Sequence, residues 1–84
     1  MFDRLSRQVK DKLKSFDESG MGYRIVTVTL EDGRRYSGVV ISDGSFGHKF
    51  GFPDQTPFKL SDIVDVAWEG YRGDRITGPP VKLD

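Results

Sequence analysis

The sequence has no cysteine, one histidine, one tryptophan and only four prolines among its 84 residues. Without cysteine there is no disulfide framework and no thiolate metal site, and a reducing compartment suits the chain. No apolar run approaches the roughly 20 residues of a membrane span, and the first residues lack the apolar core of a secretory signal. Nor is there a surplus of one charge. Thirteen basic and thirteen acidic residues cancel, so no global field draws the chain toward nucleic acid or an anionic membrane. These absences predict a soluble cytoplasmic protein without a membrane partner. Residues 1–84 are expected to form one domain whose core is large enough to be stable but with little margin.

The groups that catalysis needs are also scarce. His48 has no cysteine to activate, and a lone histidine among phenylalanines more often packs or hydrogen-bonds than reacts. Asp62 and Asp65 are three apart on a candidate strand and so point to opposite faces, where they cannot easily share a proton. Asp43, Asp54 and His48 lack the spacing of a metal site. The glycines match no phosphate-cradling loop that opens a helix. The expectation is a protein that is not an enzyme, with no cofactor and no metal.

What is present is β structure. Val26, Val28 and Leu30 alternate with Thr27, Thr29 and Glu31, so one face of this strand can be buried while the other stays polar. Asp32-Gly33 tolerates the positive φ angles of a hairpin turn and leads into a second strand that reaches Ile41. Gly38 falls inside that second strand, where a missing side chain marks a bulge, a sharp bend or a close backbone approach. A bent hairpin over residues 23–41 is how a short chain closes a small barrel.

Before it, residues 2–16 read as an amphipathic helix within a helical segment 1–18. Phe2, Leu5, Val9, Leu13 and Phe16 recur every three or four residues, with Asp3 in the expected first turn and Lys14 near the last. Ser19-Gly20 supplies a stop, and Gly20 or Gly22 can take a left-handed conformation. The narrow apolar stripe must lean on a barrel end or a second subunit. Arg7, Lys10 and Lys14 cluster beside it, either as a solvated flank or as a ridge facing phosphate.

After the hairpin, Asp43-Gly44-Ser45 signals a turn, and Phe46, His48, Phe50 and Phe52 alternate with Gly47, Lys49 and Gly51. That pattern predicts a short strand with a buried aromatic face and glycines opposite it, against another backbone. Pro53 and Pro57 break the chain, and Phe58 and Leu60 could begin a further strand. Ile63–Trp68 reads as the last firm strand, with Val64, Val66 and Trp68 on one side and Ile63, Asp65 and Ala67 on the other. The barrel is thus expected over 23–70. Residues 71–84 should hold one short strand around Arg75-Ile76-Thr77 or none, then a loose tail.

Leu30-Glu31-Asp32-Gly33-Arg34-Arg35-Tyr36-Ser37-Gly38 resembles the first signature of the Sm and Sm-like family. That signature has an apolar residue, Asp-Gly-Arg, an aromatic two residues on, and a glycine two after that. The resemblance implies a small five-stranded Sm-like barrel, of the SH3-like kind, preceded by an N-terminal helix. In the family the chain continues through an Asp and an aromatic to an Asn that clasps a base; here Asp43 and Phe46 are present and His48 lies near the Asn's place. The second signature can be placed in two ways. Tyr71-Arg72-Gly73-Asp74 resembles the Arg-Gly-Asp that ends the fourth strand of archaeal members. Phe58-Lys59 stands where the bacterial host-factor branch carries aromatic-Lys-His, with Leu60 replacing the His. Strand 63–68 would be the fourth in the first case and the fifth in the second, and Pro79-Pro80 tilts the choice to the second.

Two functions follow. The resemblance implies a homo-oligomeric ring of five to seven copies that binds single-stranded RNA. Phe46 would stack on a base, His48 would hydrogen-bond, Lys49, Lys59 and Arg72 would contact phosphates, and Asp43 would complete the loop. The alternative is an SH3-like barrel that assembles with itself or another protein without nucleic acid, which net neutrality and an acidic C-terminal half favour.

Overall fold

A computed structural model describes residues 3–44, 47–70 and 79–83. It is mainly β, with one short helix and a curled five-stranded antiparallel sheet that forms a half-barrel. The elements run α1 (Arg7–Lys14), β1 (Tyr23–Leu30), β2 (Arg35–Gly44), β3 (Gly47–Phe50), β4 (Ile63–Trp68) and β5 (Val81–Leu83). Two 3-10 turns, Pro53–Gln55 and Leu60–Asp62, fill the link between β3 and β4. Among the described residues no helix is long and apolar enough to cross a membrane.

The helix is shorter than its apolar stripe suggests. Ser6 is extended and its hydroxyl accepts from the Val9 N–H at 3.3 Å, so the helix begins at Arg7. Asp3 therefore lies ahead of the helix rather than in its first turn, which has no acidic residue; Lys12 and Lys14 do sit in the last turn. Eight residues are too few for a helix to hold alone in water. Its stability comes from Val9 and Leu13, both buried in the core with Leu5, while Phe16 packs against that core. Each such side chain contributes roughly 1.5–3 kcal/mol by leaving water. The Lys12 ammonium meets Asp65 on β4 at 2.7 Å, an exposed pair that fixes orientation more than energy. Phe2 lies outside the described residues.

β1 buries Val26, Val28 and Leu30, as the alternation predicts, and Ile25 as well. The turn to β2 is a four-residue loop, Glu31 to Arg34, with Gly33 at φ 93°. Leu30 N–H donates to Arg34 O at 2.8 Å to close it. Gly38 is the expected bulge. The pairing of β1 with β2 shifts between Val26 and Val28, and Gly38 takes φ 71° there. Along β2, Arg35 to Ser37 pair with β5 while Ile41 to Gly44 pair with β3. The bend at Gly38 thus divides one strand between two sheet neighbours, and this curls the sheet.

Three expectations need correction. Val64 is half exposed, and Ile63 and Val66 are the buried residues of β4. The register of β1 against β4 shifts between Thr29 and Leu30, which inserts an extra residue at Val64 and breaks the two-residue alternation. Leu60 opens a 3-10 turn, not a strand, and it and Phe58 are buried. Ile63–Trp68 is the fourth strand in chain order, not the fifth, because the chain forms Val81–Leu83 after the two prolines where a loose tail was expected. Residues 75–77 lie outside the described residues.

Candidate nucleic-acid interface

β2 and β3 form a hairpin in which Asp43 opposes His48 and Ser42 opposes Lys49. The alternation predicted for 46–52 holds where it is described: His48, Phe50 and Phe52 are partly buried, and Gly47, Lys49 and Gly51 are exposed. Phe50 meets Phe58 edge-on with ring centroids 5.5 Å apart, and Phe58 in turn meets Tyr36 at 4.9 Å. Gly51 is the close approach. A Cβ there would stand 2.7 Å from Val40 Cγ1, and its N–H donates to Val40 O at 2.8 Å.

His48 points inward. Only 7 % of its side chain is exposed, and Nε2 lies 3.1 Å from Asp43 Oδ1. The two are not aligned for a hydrogen bond, so the buried Nε2 has no hydrogen-bond partner. It lines a pocket of about 190 Å³ together with Asp3, Arg4, Leu5, Lys10 and Gly47. The wall facing the hairpin is therefore α1 and the segment that leads into it.

That segment is pinned at both ends of Arg4. Asp3 accepts the backbone N–H groups of Leu60 at 2.6 Å and Ser61 at 2.9 Å, and Leu5 is buried in the core. Burial pushes the Asp3 carboxyl up, but the Ser61 and Leu60 hydrogen bonds and the Lys59 charge outweigh it and hold it below its ordinary range. Its oxygens are committed to the 3-10 turn. The cationic side chains are the groups of the pocket with capacity left over.

Burial is the first cause that presses the His48 pKa below its usual value; Asp43, the strongest single charge on the ring, pulls it up, and Lys14, Arg24 and Lys10 push it down. Arg24 is itself held, donating from Nε to Phe16 O at 3.1 Å and facing Asp43 at 3.5 Å with 11 % of its side chain exposed. It supplies charge from below and has little freedom to follow a ligand. The ridge suggested by Lys10 and Lys14 is thus joined to the hairpin through His48. Arg7 is exposed.

Of the candidate residues, Asp43 and His48 are brought together as a cross-strand pair. Lys49 is exposed, one residue along β3 and so on the opposite face from His48. Lys59 is exposed and stands beyond Asp3, its N–H given to Asp62 Oδ2 at 2.9 Å. Phe46 and Arg72 lie outside the described residues. Sequence reasoning does not single out Arg4 and Arg24 as site residues, and nothing local in the chain marks them. The signal for Lys10 is its place beside the apolar stripe.

A second hollow of about 260 Å³ lies at the β1–β2 loop and is lined by Leu30, Glu31, Asp32, Arg34 and Asp62. There Arg34 Nε pairs with Asp32 Oδ2 at 2.6 Å, and Asp62 Oδ2 accepts the Lys59 backbone N–H. Among the described residues no group of three or more His, Cys, Asp or Glu side chains could hold a metal ion. No family model, no curated protein and no solved structure matches the chain.

Proposed function

We propose that the chain is an Sm-like protein that binds single-stranded RNA, working in the cytoplasm as a ring of its own copies. The observation that carries this reading is the pocket in which Arg4, Lys10 and His48 converge, with Lys14 and Arg24 adding positive charge around the imidazole. Cations gathered on one side of a neutral chain give a local phosphate site without a global field. Repetition around a ring raises avidity far beyond one weak site. The ring is supported by edges: among the described residues β4 has β1 as its only sheet neighbour, and an edge strand is where another copy can pair. A closed barrel extends the half-barrel seen here, and no catalytic role is part of the proposal.

The test is size-exclusion chromatography with light scattering, with and without a short uridine-rich RNA, followed by a salt titration. The expected result is an assembly of five to seven copies whose RNA affinity falls steeply with salt. A monomer at micromolar concentration that ignores RNA overturns the reading. A second reading, an SH3-like module that assembles without nucleic acid, is favoured by Val64 on β4 and Val81 on β5, which are 50 % and 62 % exposed. It predicts assembly with no response to RNA.

A further inference from the structure

We propose that the pocket between α1 and the β2–β3 hairpin receives a phosphate monoester, the phosphorylated end of an RNA strand, in preference to an internal phosphodiester. The RNA as source rests on the function proposed above; the monoester chemistry rests on the pocket itself.

Three basic residues, Arg4, Lys10 and His48, line one hollow of about 190 Å³. A monoester carries close to two negative charges near neutral pH and three terminal oxygens, each a strong acceptor. A diester carries one charge and two such oxygens. Three basic residues, from the segment ahead of α1, from α1 and from β3, suit the former. Leu5, Gly47 and Asp3, which is tied to the Leu60–Asp62 turn, complete the described lining of the hollow.

The second observation is His48 itself. More than nine-tenths of its side chain is buried, it lines the hollow, and its Nε2 makes no hydrogen bond despite lying 3.1 Å from Asp43 Oδ1. That nitrogen is closed to solvent and faces Asp43, so His48 bears on the hollow through charge: a dianion there favours the imidazolium and offsets the mutual repulsion of Lys10, Lys14 and Arg24 around it. The carboxylates of Asp3 and Asp43 are the unfavourable neighbours; both Asp3 oxygens already accept backbone N–H groups, and Asp43 faces Arg24 at 3.5 Å.

The experiment compares oligouridine strands of one length that end in a 5′-phosphate, a 3′-phosphate or hydroxyls only, and adds inorganic phosphate as a separate arm. Affinity is measured by fluorescence anisotropy and the His48 imidazole is followed by NMR. A phosphorylated end should bind about tenfold tighter or more than the hydroxyl-ended strand, and inorganic phosphate alone should move the His48 signals. Lys10→Ala, Arg4→Ala and His48→Gln should each erase the difference, and Lys82→Ala, on exposed β5 away from the hollow, should keep it. Lys10 and Arg4 carry the test if the buried His48 variant fails to fold. Equal affinity for all three strands overturns the monoester proposal and leaves RNA binding standing. A phosphate response at His48 with no strand bound supports the pocket chemistry and overturns RNA as its source. Silence of His48 toward phosphate and strands alike overturns both.

Discussion

The carboxylate of Glu69 accepts a 2.7 Å hydrogen bond from the backbone N–H of Gly38, the residue at the bend of β2. A bulge leaves a backbone group out of the ladder, and here a side chain from just beyond β4 satisfies it. The same oxygen accepts from the Thr27 hydroxyl at 3.1 Å, and the Glu69 N–H donates to Ile25 O at 3.0 Å. The end of the fourth strand thereby clamps the curl of the first two. Glu69→Ala should cost about 1.5–3 kcal/mol, the range for a hydrogen bond to a charged partner whose donor is left unmet. Glu69→Gln, which keeps an acceptor, should cost less, and urea unfolding of the three proteins measures the order.

Gly38 and Gly51 are both required, for unrelated reasons. At Gly38 nothing lies within 4 Å of an added Cβ, and the demand is the φ of 71°. Gly38→Ala should therefore cost roughly 1–2 kcal/mol of backbone strain with the core unaltered. At Gly51 φ is ordinary and the obstacle is Val40, 2.7 Å from the added carbon. Gly51→Ala alone should destabilise, and Gly51→Ala with Val40→Ala should recover part of that loss. A double-mutant cycle with a coupling near zero would contradict the contact.

The bulge at Gly38 is legible in the sequence because a glycine amid strand formers weakens the strand unless the backbone must bend there. The face of β1 is legible because Val26, Val28 and Leu30 obey a two-residue period. The face of β4 is not. Its extra residue is Val64, an ordinary strand former, and the shift arises from pairing with β1, which local sequence does not encode. The helix start is hidden for a related reason: Leu5 keeps the helical spacing although Ser6 caps the turn after it. At the site, Asp43 and His48 are near neighbours in sequence, and a hairpin turn between them is enough to pair them. Arg4 and Lys10 reach the same pocket from the far end of the chain, and only the packing of α1 on the core brings them there.

Asp3 should give the fold an acid-sensitive tether. Its hydrogen bonds to Ser61 and Leu60 and the Lys59 charge prevail over burial and lower its pKa below the ordinary 3.8. A carboxyl with a depressed folded pKa stabilises fully above its unfolded value and loses that contribution as pH falls through the folded one. Asp3→Ala should thus lower the urea midpoint at neutral pH by an amount worth about 1 kcal/mol, the low end for an exposed acceptor. The difference from the parent protein should shrink as pH falls below 3.8 and through the folded pKa. A difference that stays constant over that range would remove Asp3 from the tether.

His48 should act in the opposite sense to a histidine that gains a partner. Burial, then Lys14, Arg24 and Lys10 against the pull of Asp43, leave its folded pKa below the ordinary 6.5. The unfolded chain then binds the proton more readily, so stability is full above 6.5 and declines as pH falls from there toward the folded pKa. Below the folded pKa the loss levels off. His48→Gln should flatten that stretch of the urea midpoint against pH. Asp43→Asn removes the carboxylate that opposes the cations, so the imidazole, followed by NMR, should titrate at a still lower pH. An anion in the pocket works the other way. It favours imidazolium, so inorganic phosphate should raise the His48 pKa. A His48 pKa that moves upward in Asp43→Asn, or that ignores phosphate, would refute this electrostatic picture of the pocket.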